Sequence, residues 1–423
     1  MRMLVKHGGW SLAALAGVWM VAAVARQGGA EQAGFASPVV AGVTLPGRPG
    51  PVGPGDPRPD PAPPWSSEKM DEAARMLPRL HSLLVSRRGE LVFERYYSGV
   101  RRDRPANIKS ASKSVISSLI GIAIDRGLIP GVNTRIATYF PELAQDPDPR
   151  KRDITVEHLL TMRPGLEGTS NRNYGAWVTS RNWVRHALAR PMFAAPGEEM
   201  EYSTGNTHLL SAILSKATGR STWQFANEVL AQPLGFTLPP WPRDPQGIYF
   251  GGNDMLMTPR QMLAFGELYL NGGRWPYGGR VPPFDGDPSG SRGSRSGPAN
   301  VEQIVPERWV EQSCDGRERT RRPGNPAFDA SRGFDPLQDR RYGYLWWVHE
   351  IRGYKTCFAW GYGGQYVFIV PELELVMVTT SSPDVSEERR GHRRTLFDML
   401  DGLVVAPMAA TRVTTPLAGT SAQ

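Results

Sequence analysis

The sequence has few cysteines, no long hydrophobic run and none of the motifs that mark several common hydrolases. Its 423 residues include two cysteines, and the longest apolar stretch, Trp10–Ala25, is short for a membrane span of about 20 residues. It contains no G-x-S-x-G elbow and no H-E-x-x-H zinc motif, and its seven histidines are dispersed. Neither a metal nor an organic cofactor is therefore expected.

The charge balance is basic but does not predict a nucleic-acid partner. The formal net charge is +8 and the isoelectric point is near 9.6. The basic residues are mostly arginines mixed with acids, as in Arg101–Arg104, and no stripe of bases alternates with aromatic residues. With 40% hydrophobic and 21% charged residues, the chain can form one large domain or two moderate ones.

The composition changes along the chain and suggests four segments. A basic start and the apolar stretch Trp10–Ala25 are typical of an export signal, so residues 1–33 are expected to be a signal peptide or an uncleaved membrane anchor. The protein is then exported, either periplasmic or secreted. Residues 34–65 are rich in proline and glycine and predict a linker. We expect a single large domain at 66–407 and a flexible tail at 408–423.

Strand patterns lie at both ends of that domain. Ser82–Tyr97 predicts a hairpin, and Gln365–Val370 with Leu375–Val378 predicts a second strand pair. We therefore expect an α+β fold in which one antiparallel sheet is built from both chain ends and flanked by helices, with a mainly helical lobe and a cleft between them. Gly272–Asn300 is expected to be a mobile surface loop. The predicted helices are Val115–Arg126, Val156–Met162, His208–Ala217 and Pro259–Leu270.

The run Ser110-Ala111-Ser112-Lys113 opens the first of these helices. A serine at a helix N-terminus faces free backbone amides, where negative charge is stabilised. Lys113 lies one turn later, so its amine is expected beside the Ser110 hydroxyl. Burial would keep part of this amine neutral and allow it to act as a base. The alternative is an ordinary N-cap serine with a solvated lysine.

This run and its surroundings resemble the serine β-lactamase and penicillin-binding-protein superfamily, for which S-x-x-K is a signature. The resemblance implies the β-lactamase/penicillin-binding-like fold, a nucleophilic serine and an acyl-enzyme intermediate without cofactor. It covers nearly the whole domain. The other segments that carry it are Tyr139–Leu143, Ile154–Met162, Met257–Arg260 and Ile304–Trp309.

A second motif begins at Tyr202. A phenol near an ammonium has its ionised form favoured, so Tyr202 is expected to take the serine proton and pass it to the leaving group. Class C β-lactamases carry Tyr-x-Asn, whereas here the third position is Thr204 and the asparagine is Asn206. This spacing is similar to that of 6-aminohexanoate-dimer hydrolases and esterase-like relatives, and it implies that Asn206 binds substrate. The alternative for Tyr202 is a core tyrosine.

A third element is the glycine-rich run Ala359–Gln365, which precedes a predicted strand. The resemblance implies that Gly361 binds substrate and that the backbone amides of Ser110 and Tyr362 form the oxyanion hole. Lys355-Thr356-Cys357 is similar to the Lys-Thr-Gly motif but lacks the glycine, and we expect the strand to start after it. Because the run has no lysine or histidine, penicillin-like substrates are disfavoured.

Together these motifs predict a serine hydrolase that cleaves small esters or amides, and such a substrate is the only partner expected. Tyr174 is assigned to substrate binding, with core filling as the alternative. A D-alanyl-D-alanine carboxypeptidase or weak β-lactamase would use the same chemistry, and a non-catalytic penicillin-binding-like envelope sensor is the alternative from another class. Cys314 and Cys357 form either a disulfide or two buried thiols. The sequence does not predict an oligomeric state.

Overall fold

A computed structural model of the chain describes residues 65–276, 301–316, 318–319, 340–386 and 389–413. The expected signal or anchor at 1–33 lies outside the described residues. So do the expected linker at 34–65, apart from Trp65, and the expected loop Gly272–Asn300 from residue 277 onward. Within the described ranges, no helix is both long and apolar enough to cross a membrane.

Antiparallel strands from both ends of the chain form one eight-stranded sheet. The described strands are β1 (Leu80–Arg87), β2 (Glu90–Tyr96), β3 (Ala106–Asn107), β4 (Leu256–Met257), β5 (Arg274–Pro276), β6 (Val301–Gln303), β7 (Glu318–Arg319), β8 (Arg341–Tyr342), β9 (Trp347–Ile351), β10 (Tyr354–Gly361), β11 (Gln365–Val370) and β12 (Leu375–Ser381). The sheet order is β2-β1-β12-β11-β10-β9-β8-β7, while β3 pairs with β4 and β5 with β6. Strand β1 therefore lies beside β12, with Leu84 opposite Val378.

Helices connect the two groups of strands and also follow the last one. The described α-helices are α1 (Ser67–Arg75), α2 (Ser112–Asp125), α3 (Val156–Leu160), α4 (Tyr174–Val178), α5 (Trp183–Leu188), α6 (Thr204–Thr218), α7 (Thr222–Ala226), α8 (Pro259–Leu270), α9 (Glu307–Ser313), α10 (Arg389–Met399) and α11 (Ala406–Val413). A short 3₁₀ segment, Lys109–Ala111, leads into α2, and a π-helical segment, Leu400–Val405, joins α10 to α11.

The sheet is covered on both faces. Helix α8 lies so close to one face that a Cβ atom on Gly266 would come within 2.6 Å of Val376. On the other face, Phe397 of α10 packs edge-on against Phe358 and Phe368, with ring centroids 5.5 and 5.1 Å apart. Because successive strand residues point to opposite faces, the strands between these helices are buried throughout their length, as β11 and β12 are.

Helix α2 runs through the interior. All its residues from Ser112 to Ala123 are buried, so its apolar residues are not confined to one stripe, and the buried Ser114 hydroxyl donates to the Leu345 carbonyl over 2.8 Å. The helix packs against α6 and against α9. The Trp309 indole of α9 would lie only 2.5 Å from a Cβ atom on Gly121. The position of α2, and of the serine at its start, is thus fixed from several sides.

A disulfide joins Cys314 and Cys357, whose Cα atoms are 5.5 Å apart. Cys314 follows the last residue of α9, and Cys357 is a fully buried residue of β10. Of the two alternatives for these cysteines, the structure has the disulfide. The bond ties α9, and through it the α2 packing, to the strand that ends at Gly361.

The predicted α+β fold, with its sheet built from both chain ends, is confirmed. Helix α8 begins and ends at the predicted residues, whereas α6 begins at Thr204, four residues before the predicted start at His208. The boundary expected at residue 407 lies inside α11, which continues to Val413 with Met408 buried.

Candidate active site

Ser110 lies in the 3₁₀ turn that leads into α2, where its side chain is half-buried. The preceding residue, Lys109, has a left-handed backbone with φ of 50°. One helical turn after Ser110, the amine of Lys113 donates a hydrogen bond to Ser110 Oγ over 3.0 Å. The predicted contact between the two residues is therefore present, and the serine is reachable from solvent.

The amine of Lys113 is held in a buried site. The side chain is 1% exposed, and Nζ also donates to the Gly252 carbonyl over 2.6 Å and lies 3.3 Å from Thr204 Oγ1. Burial disfavours the ammonium form and lowers the pKa of Lys113 to about 7, although the nearby carboxylate of Asp254 acts in the opposite direction. Near neutral pH, a large fraction of this amine can accept a proton.

Tyr202 completes the cluster. Its ring centroid lies 5.1 Å from Lys113 Nζ, and the neighbouring Ser110 hydroxyl acts on the pKa of its phenol in the direction that favours the ionised form. Burial raises the pKa of Tyr202 well above its usual value, which is opposite to the direction expected from a neighbouring ammonium. The reason is that the phenol has lost its water while the amine beside it is itself only partly charged. Tyr202 is therefore a protonated phenol, suited to donating a hydrogen bond or a proton.

Thr204 contacts the lysine, whereas Asn206 does not. Asn206 is 3% exposed, and its amide nitrogen lies 3.5 Å from Met162 Sδ. In the part of the chain that the structure describes, no hydrogen bond joins Asn206 to Ser110 or Lys113. The two positions are two residues apart on α6, so their side chains point in directions about 200° apart. The substrate-binding role of Asn206 stays a prediction, and Thr204 is the residue of this motif that contacts Lys113.

Strand β10 brings the predicted oxyanion residues to the serine. A Cβ atom on Gly361 would lie 2.1 Å from the carbonyl oxygen of Ile108, so only glycine permits this approach of the two backbones. The contact places residues 361 and 362 alongside the segment that ends at Ser110. This juxtaposition is what a two-amide oxyanion site needs. Tyr362 directly follows the last residue of β10 and is 36% exposed.

The start of β10 differs from the prediction. The strand begins at Tyr354 and includes Lys355-Thr356-Cys357, which we expected to precede it. Lys355 is exposed and lies six residues from Gly361, a separation of about 20 Å along a strand. This Lys-Thr pair therefore lies far from Ser110, and its likeness to the family motif is coincidental.

Tyr174 is linked to the same site through the loop that contains Gly252. Its hydroxyl accepts a hydrogen bond from the side-chain amide of Asn253 over 2.8 Å. Burial, together with the carboxylate of Asp254, raises the pKa of Tyr174 to about 12. Asp254 in turn pairs with Lys109 Nζ over 3.1 Å. One short loop thus contacts both the lysine and the tyrosine that the sequence assigned to the site.

The sequence reasoning missed that loop. Gly251-Gly252-Asn253-Asp254 is a run of turn-forming residues, and this was the only signal available for it. A Cβ atom on Gly252 would lie 2.3 Å from Thr207 Oγ1 and 2.9 Å from Lys113 Cγ, and its φ is 125°. Glycine is therefore required where the loop presses its carbonyl against the lysine.

The chain is similar to known proteins over most of its described length. Residues 81–398 match the family model described as Beta-lactamase. The chain is 24% identical over 368 residues to the 6-aminohexanoate-dimer hydrolase of Paenarthrobacter ureafaciens, covering 79% of this chain and 83% of that protein. It is 27% identical over 138 residues to the D-alanyl-D-alanine-carboxypeptidase/endopeptidase AmpH of Escherichia coli strain K12. That match covers 31% of this chain and 36% of AmpH.

A solved structure of a penicillin-binding protein homologue from Caulobacter crescentus superposes with a TM-score of 0.56 at 14% identity. It covers 78% of this chain and 97% of that one. The fold and the matched relatives define the class of protein as a serine hydrolase with the penicillin-binding-like fold. Within that class, the chain belongs to the Beta-lactamase family, whose model spans three quarters of it, from residue 81 to residue 398.

Proposed function

We propose that this protein hydrolyses small esters or amides through an acyl-enzyme formed on Ser110. The observation that carries the proposal is the buried amine of Lys113, 3.0 Å from Ser110 Oγ. A neutral amine at that distance can remove the serine proton as the oxygen attacks the substrate carbonyl. Burial lowers the pKa of Lys113 to about 7, which matches a base to near-neutral conditions.

Acylation follows from the roles that the site gives its two proton carriers. The Ser110 proton passes to Lys113 Nζ while the Ser110 Oγ–carbon bond forms. As the bond to the leaving group breaks, the phenol of Tyr202 donates its proton to an amine or alkoxide, and Lys113 restores the proton to Tyr202. Water then attacks the ester with Lys113 as base, and Ser110 recovers its proton. The backbone amides of Ser110 and Tyr362 stabilise the oxyanion in both steps.

The chemistry of the substrate is proposed from the surroundings of Gly361. The neighbouring side chains Trp360 and Tyr362 are aromatic, and the lysine of the family motif is absent from this end of β10. The guanidinium groups of Arg340 and Arg393 lie over the Trp360 ring, 5.4 and 5.5 Å from its centroid, so the case against penicillins rests on the absent motif lysine and not on an uncharged surface. The match to a 6-aminohexanoate-dimer hydrolase over 79% of this chain supports an amide substrate.

The second candidate activity is D-alanyl-D-alanine carboxypeptidase, which the match to AmpH favours over 31% of the chain. Rates on 4-nitrophenyl esters, a linear amide, a D-alanyl-D-alanine peptide and nitrocefin, measured side by side, separate the candidates. We expect ester or amide turnover to exceed the other two. Peptide or nitrocefin turnover far above ester turnover would reverse this order.

The proposal is tested by labelling with a fluorophosphonate. We expect the wild-type protein to be labelled on one serine, and Ser110→Ala to lose both the label and ester hydrolysis, the latter by about 10³-fold or more. Ser112→Ala is the matched control, because the buried Ser112 hydroxyl donates to the Lys109 carbonyl over 2.7 Å and is not part of the site. Absence of labelling in the folded wild-type protein would instead favour the non-catalytic sensor.

We also propose that the protein works in an oxidising compartment, consistent with export. The Cys314–Cys357 disulfide supports this, because disulfides persist in extracellular and periplasmic proteins and are rare in a reducing cytosol.

A further inference from the structure

A row of hydroxyl groups leads away from Lys113. The first is Thr204, whose Oγ1 lies 3.3 Å from Lys113 Nζ, and the second is Ser170, whose Oγ lies 2.9 Å from Thr204 Oγ1. Lys113 and Thr204 are 1% and 4% exposed, whereas Ser170 is only half-buried. The row therefore begins at the buried amine and ends where solvent can reach it.

The loop that carries Ser170 is fixed to the start of α6. The first amides of a helix have no partner within the helix, and here the loop supplies them. The Thr204 N–H donates to Ser170 Oγ over 2.9 Å, and the Gly205 N–H donates to Thr169 Oγ1 over 2.8 Å. The Thr169 N–H donates back to Ser203 Oγ over 3.1 Å. The distance between the hydroxyls of Thr204 and Ser170 is thus set by backbone contacts on both sides.

These contacts orient the row. When Lys113 is an ammonium, it can only donate, so Thr204 Oγ1 accepts from it and directs its own hydrogen to Ser170 Oγ. Ser170 Oγ then accepts two hydrogens, one from the Thr204 amide and one from the Thr204 hydroxyl, and its own hydrogen remains for solvent. Each hydroxyl accepts one proton and donates another, which an asparagine amide or an alkyl group at position 204 would not do.

We propose that Thr204 and Ser170 carry the Lys113 proton to solvent in the acyl-enzyme, after Ser110 has taken up the acyl group. This inference rests on the proposed function. When the leaving group departs as an anion, such as 4-nitrophenolate, the proton taken from Ser110 stays on Lys113. The amine must lose it before it can accept a proton from the attacking water. Ser110 Oγ is then an ester oxygen, the Gly252 carbonyl has no proton to pass on, and the phenol of Tyr202 already holds its own.

The transfer balances along the row. Lys113 Nζ gives its proton to Thr204 Oγ1, Thr204 gives its hydroxyl proton to Ser170 Oγ, and Ser170 gives its own to water. One proton leaves the site, both hydroxyls end as hydroxyls, and Lys113 becomes neutral. This path gives a function to Thr204, which stands at the position where the class C motif has asparagine.

The test follows hydrolysis of 4-nitrophenyl butyrate by Thr204→Val in the full-length protein. We expect the pre-steady-state burst of nitrophenolate to remain near one per active site, because acylation does not need the path. The steady-state rate should fall about 10²-fold or more, the range in which one proton-transfer group contributes. Imidazole, a small base that enters the site from solvent, should restore that rate as its concentration rises, after subtraction of the Ser110→Ala background.

Two variants control for packing. Thr204→Ser keeps the hydroxyl and should turn over within about threefold of wild type without imidazole dependence. Thr218→Val makes the same exchange at the other end of α6, where the hydroxyl donates to the Leu214 carbonyl over 2.8 Å and lies outside the row, and it should behave like wild type.

The path is wrong if Thr204→Val turns over normally, if imidazole fails to restore its rate, or if Thr204→Ser is equally slow. In those cases, a wild-type burst that Ser110→Ala abolishes leaves the proposed function standing. A wild-type protein without burst or turnover would overturn both proposals.

Discussion

The amine of Lys113 is surrounded by oxygen atoms that carry no formal charge. Its neighbours within 3.3 Å are the hydroxyls of Ser110 and Thr204 and the Gly252 carbonyl. These contacts replace part of the hydration that an ammonium loses on burial, but no carboxylate contributes a direct ion pair in the described part of the chain. The ammonium is therefore disfavoured, and the balance between base and acid depends on Asp254, which acts from farther away.

This balance predicts the pH dependence of the reaction. Below a pKa of about 7, Lys113 is protonated and does not accept the serine proton, so kcat/KM should fall about tenfold per pH unit there and be constant above it. Asp254→Asn removes the carboxylate that raises the pKa of Lys113, and the midpoint should move to lower pH. The measurement is kcat/KM for a neutral ester between pH 5 and 9. A midpoint that rises or stays in place in Asp254→Asn would contradict the assignment of Lys113 as the base.

At the residue scale, the spacing of residues in the sequence predicted which side chains touch, but it did not predict the environment that sets their ionisation. The separation of three positions from Ser110 to Lys113 was enough to predict their contact, because the helix repeat fixes it. The ionisation state of Tyr202 was predicted with the wrong sign, since it depends on how much water its ring excludes, and that requires the packed structure. The contact of Thr204 with Lys113 was missed because the motif was matched by residue type without asking which side of α6 each position occupies.

At the scale of elements, strand β10 makes a close backbone contact with the segment before Ser110. This contact joins a strand made late in the chain to a turn made early, and Gly361 is the residue that permits it. The start of β10 was predicted too late because Lys355, Thr356 and Cys357 look polar. Only Lys355 is exposed, whereas Thr356 and Cys357 are buried between β9 and β11.

Gly361→Ala tests this contact. The added methyl group meets the Ile108 carbonyl, which belongs to the backbone and cannot rotate away, so β10 must shift from the serine. We expect kcat for a nitrophenyl ester to fall about 10²-fold, the effect of losing one oxyanion donor, with the far-ultraviolet circular dichroism unchanged. Gly391→Ala is the matched control, since Gly391 is an exposed residue of α10 with nothing within 4 Å. A Gly361→Ala enzyme within about threefold of wild type would show that the contact does not position the oxyanion site.

On the scale of the whole molecule, the single antiparallel sheet built from both chain ends is the feature that the sequence predicted best. Apolar runs joined by turn residues at both ends, with helical patterns between them, allowed few other architectures. The short strands β7 and β8 were not predicted, because two residues each are too few to show a pattern. The disulfide was left open for a different reason: the spacing of two cysteines does not say whether their Cα atoms approach.

The disulfide should contribute to stability. It closes a loop of 43 residues, and a cross-link of that length lowers the entropy of the unfolded chain by the equivalent of about 4 kcal/mol. We expect the double variant Cys314→Ser/Cys357→Ser, and the wild-type protein unfolded in the presence of a reductant, to lose about 2–4 kcal/mol in the free energy of unfolding measured with urea. Equal stability of oxidised and reduced protein would mean that the bond is not formed in solution.

The pairing of β1 with β12 also limits how early the growing chain can complete its sheet. Ser82 and Thr380, whose hydroxyls meet across these strands, are 298 residues apart, so the first hairpin is synthesised long before its partner exists. Such distant pairing slows folding and leaves a strand edge open in the meantime. A nascent chain that has passed Lys113 but not reached Gly361 carries the proposed nucleophile without the strand proposed to supply the oxyanion site. The proposed activity is then among the last properties that the chain acquires during synthesis.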